Sequence, residues 1–195
     1  MADFLGRDYW NQRYESGQTG WDLGKISPPL QAYIDQLEDK DIRILIPGCG
    51  NAYEAEYLLR SGFHKVEVID IAENAVRKLK NHLGEHTLLK ITCGDFFKHT
   101  GTYDLILEQT FFCAIDPSLR EEYVRKMSSL LVPEGKLAGL LFGVEFENPG
   151  PPFGGDSASY RKLFSKYFII NKLEMAHNSV KPRLGNELFF NFSRI

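Results

Sequence analysis

Cysteine is scarce in this chain: three residues, Cys49, Cys93 and Cys113, among 195. An odd count with no close pair argues against a disulfide scaffold and a zinc site, and suits reduced thiols in a cytoplasmic protein. No metal ligand set is expected. Long apolar runs are also missing. The longest, Leu137 to Val144, is far too short to cross a bilayer, so no membrane partner is expected. Met1-Ala2-Asp3-Phe4-Leu5 lacks a basic stretch followed by an apolar one, so no secretory leader is read there. Neither sign of charge dominates. The net charge of -3 gives no reason to expect nucleic-acid binding. Repeats, low-complexity tracts and linkers are absent.

What is present is a globular composition, 43% hydrophobic and 25% charged, at a length that suits one domain over residues 1–195, with 1–40 as an N-terminal helical extension or lid. A monomer suits this size. The apolar pattern alternates between two periods. Short β-rich runs are read at 42–46, 66–69, 88–92, 103–107 and 136–142. Helical spacing is read at 52–60, 73–82, 120–131 and 157–164. Pro133-Glu134-Gly135 reads as a turn. The runs 168–174 and 187–192 read as a terminal antiparallel pair. Strands separated by helices imply an α/β fold with a mostly parallel sheet and right-handed crossovers. Ligands on such sheets bind beyond the carboxyl ends of the strands.

That rule selects four segments. After the first strand, Gly48 and Gly50 allow close backbone approach and positive φ, and a helix N-terminus follows. A simple tight turn is the plainer reading. Tyr53 stands where a dinucleotide fingerprint needs its third glycine, which disfavours a nicotinamide cofactor. After the second strand, Asp70, with Ile71 beside it, suits the two hydroxyls of a ribose; the alternative is a cap for the next helix. After the third, Asp95-Phe96 suits an adenine, or else a cap with core aromatics. After the fourth, Glu108 suits the amino group of a methionine moiety, Gln109 and Phe112 face the acceptor, and Phe111 and Phe112 suit either a dry wall or the core. Trp10, Tyr14 and Trp21 precede the sheet and suit a lid over a cation, or plain helix packing. Together the glycine loop and Asp70 point to an adenosine-containing cofactor.

Several motifs carry a resemblance beyond these arguments. They are Tyr9-Trp10 to Tyr14, Gly20-Trp21-Asp22-Leu23-Gly24, Ile46-Pro47-Gly48-Cys49-Gly50, Val68-Ile69-Asp70-Ile71, Gly94-Asp95-Phe96, Phe111-Phe112-Cys113-Ala114-Ile115 and Gly150-Pro151-Pro152-Phe153. In them the chain resembles the thiopurine S-methyltransferase-like family, and more closely its halide/thiol branch. Pro47, where most other methyltransferases carry an acidic residue, and the Gly-Pro-Pro-Phe turn are its specific letters. The resemblance implies the Rossmann-like class I methyltransferase fold, a seven-stranded, mostly parallel sheet with an antiparallel last strand. It also implies S-adenosylmethionine as cofactor, with Trp10, Tyr14, Trp21, Gly48, Asp70, Asp95, Phe96 and the Glu108/Gln109 pair lining its site. Tyr14 stands where plant members have tryptophan. Gln109 stands where those members have tyrosine and the mammalian thiopurine enzyme has arginine, so the acceptor is not carried over.

The expected reaction is in-line displacement of a methyl group onto a small soft nucleophile: a thiol, a thiopurine-like sulfur or a halide. A thiol is already partly ionised near neutrality and a halide needs no deprotonation, so no essential general base is expected. His64, His82, His86, His99 and His177 read as mostly solvated. Lys181 and Arg183 suit attraction of an anionic acceptor, or a solvated basic turn. Two other functions fit the same residues, a silent cofactor-binding module and an NAD-linked oxidoreductase.

Overall fold

The computed structural model describes residues 5–84 and 87–195. Met1-Ala2-Asp3-Phe4, where the absence of a leader is read, and His86 lie outside the described residues. Among the described residues seven strands form one sheet: β1 (Ile44–Pro47), β2 (Val66–Asp70), β3 (Leu89–Cys93), β4 (Tyr103–Gln109), β5 (Leu131–Phe142), β6 (Phe168–Met175) and β7 (Glu187–Arg194). Their spatial order is β3-β2-β1-β4-β5-β7-β6. The first five run parallel, while β7 is antiparallel to both β5 and β6. The expected α/β sheet with an antiparallel last strand is therefore present.

Among the described residues six α-helices accompany the sheet: α1 (Arg7–Glu15), α2 (Pro28–Ile34), α3 (Tyr53–Arg60), α4 (Glu73–Leu83), α5 (Arg120–Leu130) and α6 (Ser157–Phe164). Strand side chains alternate between faces. Ile44, Ile46, Val66, Val68, Leu105 and Leu107 meet α2, α3 and Leu79 of α4 in one core. Leu45, Ile69, Ile106, Leu137 and Leu141 meet α5 and α6 in the other. The sheet is thus buried on both faces, which is why its strands read as short apolar runs.

The expected turn at 133–135 sits inside a strand. Register passes from Tyr103 opposite Leu131 to Leu105 opposite Lys136, and residues 132–135 loop out with Glu134 at φ 64. The order reverses at β1, which lies between β2 and β4. Side by side, the carboxyl ends of these three strands open a crevice, the place where such sheets hold ligands.

Candidate functional site

The loop after β1 turns sharply. Gly48 and Gly50 have φ of 58 and 51, and Ala52, just before α3, has φ 53. An alanine Cβ at Gly48 would lie 2.5 Å from the Phe111 ring, and one at Gly50 would lie 2.8 Å from the Tyr14 hydroxyl. Gly48 is therefore needed for conformation and for space, and Gly50 for conformation, since the Tyr14 hydroxyl is the movable end of a side chain.

Asp70 ends β2 and ties this loop down. Its Oδ2 accepts the Gly50 N–H at 2.9 Å and its Oδ1 accepts the Ala72 N–H at 2.8 Å. Burial raises its pKa, while these main-chain donors pull the other way. A carboxylate has about four lone-pair sites, so acceptor capacity is left over.

A cavity of about 550 Å³ opens beside Asp70. Its size falls within the usual range for small-molecule sites. One end is formed by Asp70, Ile71, Asp95 and Phe96. Asp95 does what both of its sequence readings ask. It caps the short turn at Phe96–Lys98 through the Phe97 N–H at 2.9 Å, and it borders the cavity. Phe96 meets Phe111 edge to face at 5.1 Å. The other end, beyond β4 and β5, is mostly apolar, with Cys113, Ile115, Phe142, Phe146, Pro151 and Pro152 beside Asp116 and Arg183. It is braced by the Phe153 N–H on the Cys113 carbonyl at 2.7 Å and by Arg120 on the Gly154 carbonyl at 2.8 Å. No histidine lines this cavity among the described residues. Burial pushes the Cys113 thiol up to about 12.

The N-terminal segment covers the cavity. Trp10 and Tyr14 each meet Trp21 edge to face, at 5.5 and 5.8 Å. Helix α1 has no buried residue and is held by polar contacts to α4: Arg7 to Glu73, and Asn74 to Asn11 and Glu15. Arg183 latches the far side. Its guanidinium donates to the Trp21 carbonyl at 2.6 Å and to Glu187 at 3.2 Å. Arg183 and Glu187 are 8% and 3% exposed, so the solvated-turn reading fails for Arg183. It holds for Lys181, which is exposed and does not border the cavity.

Three expectations are corrected. Glu108 is fully buried and borders neither pocket. Its Oε1 accepts the N–H groups of Phe111 and Phe112 at 2.7 and 3.0 Å, and Tyr123 donates a short bond to Oε2. Its position on β4 has the same parity as Ile106, so it faces α5 rather than the crevice. Phe112 is likewise core, packed edge to face on Tyr123 and Tyr160, while its neighbour Phe111 forms the wall. His99 is buried rather than solvated; its ring bonds the Tyr103 hydroxyl at 2.7 Å, and Tyr103 in turn donates to Glu67. Gln109 faces a smaller pocket of about 60 Å³, with Gly48, Gly50, Trp21 and Asn51. Its Oε1 is buried there without a protein partner.

Sequence reasoning missed Arg13, Thr110 and Phe146. Arg13 borders the cavity with a buried, unpartnered Nε. Its i+3 spacing from Trp10, on the face shared with Tyr14, is a signal that would have found it. Thr110 turns at φ 58, unusual for a β-branched residue, and no local pattern announces it. Phe146 comes from an irregular loop and has no sequence signal either.

The residues present fit an adenosine-type cofactor: Asp70 retains acceptor capacity, and Gln109 Oε1 is an orphaned acceptor beside the glycine loop. Among the described residues no cluster could hold a metal ion, and no helix is long and apolar enough to cross a membrane.

The model of the thiopurine S-methyltransferase family matches residues 5–189. A probable thiol methyltransferase 2 of Arabidopsis thaliana is 32% identical, covering 91% of this chain and 81% of the relative. Thiocyanate methyltransferase 1 of Brassica oleracea is 28% identical, covering 95% and 84%. Among solved structures, the Burkholderia thailandensis 1,6-didemethyltoxoflavin-N1-methyltransferase with bound S-adenosylhomocysteine aligns at a TM-score of 0.76 and 18% identity, covering 96% and 86%.

Proposed function

Because this chain belongs to the thiopurine S-methyltransferase family, and is with it an S-adenosylmethionine-dependent S-methyltransferase, we propose that it moves the methyl group in line to a small soft nucleophile: a thiol, a thiopurine-like sulfur or a halide ion. One observation carries this reading. A single cavity is lined by Asp70 and Asp95, at and just beyond the ends of β2 and β3, and by the mostly apolar group Cys113, Phe142 and Phe146, at and beyond the ends of β4 and β5.

In this reading Asp70 accepts from the ribose hydroxyls, Asp95 from the adenine amine, and Phe96 and Ile71 cover the ring. Gly48 and Gly50 bring backbone close to the cofactor, and the Gln109 Oε1 accepts from its amino group. Trp10, Tyr14 and Trp21 close over the sulfonium, whose charge suits aromatic faces. The bound cofactor supplies a methyl carbon already activated on sulfur. The protein aligns the acceptor and keeps water out, which supplies up to roughly 7–11 kcal/mol in favourable cases. Cys113 is too basic to compete as a nucleophile at neutral pH. Arg13, which borders the cavity with an unpartnered Nε, favours an anionic acceptor there, while Arg183 is spent on Glu187 and the Trp21 carbonyl; no protein base is required.

The test is incubation with methyl-labelled S-adenosylmethionine and a panel of iodide, bisulfide, thiocyanate, thiophenol and a thiopurine. Labelled product from at least one of them is expected. Binding of S-adenosylhomocysteine with no transfer across the panel overturns the catalytic reading in favour of a silent binding module.

A further inference from the structure

We infer that Glu108 is a positioning residue for methyl transfer, its carboxylate holding the Thr110–Cys113 turn in place as the wall shared by the two pockets. This rests on the function proposed above. The turn is costly to form: Thr110 adopts φ 58, and Phe111, which follows it, fills the space that Gly48 leaves empty. Its first two free N–H groups, from Phe111 and Phe112, both end on Glu108 Oε1. The other oxygen is fixed by the Tyr123 hydroxyl of α5. One side chain with no exposed surface thus ties the end of β4 to a helix in the core beneath it.

What the turn carries makes this matter for the reaction. Thr110 borders both pockets, and Phe111 and Cys113 border the larger one. The Cys113 carbonyl also receives the Phe153 N–H, which anchors the loop bearing Pro151 and Pro152 at the apolar end. Releasing the turn therefore disturbs the wall on the cofactor side and on the acceptor side together, although Glu108 touches neither ligand.

A glutamine at 108 can reproduce the arrangement: its Oε1 accepts the same two N–H groups and its Nε2 donates to the Tyr123 oxygen. An alanine cannot. The experiment compares wild type, Glu108→Gln and Glu108→Ala at a temperature where circular dichroism shows each folded. S-adenosylhomocysteine binding is read by calorimetry, and kcat and acceptor KM with thiophenol. Glu108→Gln is expected within about threefold of wild type in all three, and Glu108→Ala to weaken binding and raise acceptor KM by about tenfold or more. A Gln variant that is folded but as impaired as the Ala variant overturns the inference, because the charge itself would then be needed. So does a folded Ala variant that binds and turns over like wild type. Where Glu108→Ala does not fold, the Gln variant alone decides: near-wild-type constants support the inference and a large loss overturns it. Wild-type protein that fails to bind S-adenosylhomocysteine overturns the functional reading itself, and is distinguished by that control.

Discussion

Asp70 and Gly50, the end of one strand and the turn after its neighbour, are joined by a single hydrogen bond of 2.9 Å from the glycine N–H to the carboxylate. Through it the residue proposed to hold the ribose also fixes the loop that must come close to the cofactor. Asp70→Ala removes both functions. S-adenosylhomocysteine binding should weaken by about 1.5–3 kcal/mol, the scale of a lost charged hydrogen bond. Calorimetry reads it directly, and unchanged affinity would refute the assignment.

Gly48→Ala should be worse than an ordinary loop substitution. It combines a backbone at φ 58 with a Cβ driven into the Phe111 ring. A loss of about 1–3 kcal/mol in stability is expected, with weaker cofactor binding as the ring is displaced. Chemical denaturation at a near-wild-type midpoint would mean that the turn has more room than its geometry implies.

Arg183→Met leaves Glu187 buried without its partner and Trp21 without its donor. Destabilisation on the order of 3–5 kcal/mol is expected. Adding Glu187→Leu removes the stranded charge and should recover much of that stability, but not ligand affinity, because the lid remains unlatched. Recovery of both in the double variant would show that Arg183 acts only as a structural counter-ion.

Burial pushes the Glu108 carboxyl up to about 7 from an ordinary 4.5. The folded state therefore holds this proton more tightly than the unfolded chain. Stability is undiminished below about 4.5 and falls as pH rises towards 7, by at most about 3 kcal/mol, with no further change above. Glu108→Gln lacks this dependence. The melting temperature of the variant minus that of wild type should thus grow between pH 5 and pH 8, read by scanning calorimetry; a constant difference would refute a native-state titration of Glu108 within that window.

The fold was legible in the chain because each strand is short, apolar and bounded by turn residues. Asp70 and the glycines were legible because their meaning depends on their place at strand ends. Glu108 was misread for the same reason. Its position at the end of β4 suits a ligand contact, but its direction depends on strand parity and on the Tyr123 hydroxyl on a helix packed from elsewhere. Phe111 and Phe112 are adjacent and alike, yet one forms a wall and the other the core. Composition cannot separate them; the turn at Thr110 does.

The sequence by itself determined the order of elements, the tight loop at Gly48–Gly50 and the family motifs, since these follow from near neighbours and local backbone preference. Only the tertiary structure decided which polar groups are spent inside the protein and which remain for a ligand. Arg183 is claimed by a carbonyl 162 residues away, Glu108 by the turn above it, and Gln109 Oε1 by nothing in the protein. A buried polar group must find a partner, and the partner is set by packing between distant segments, which local sequence does not encode.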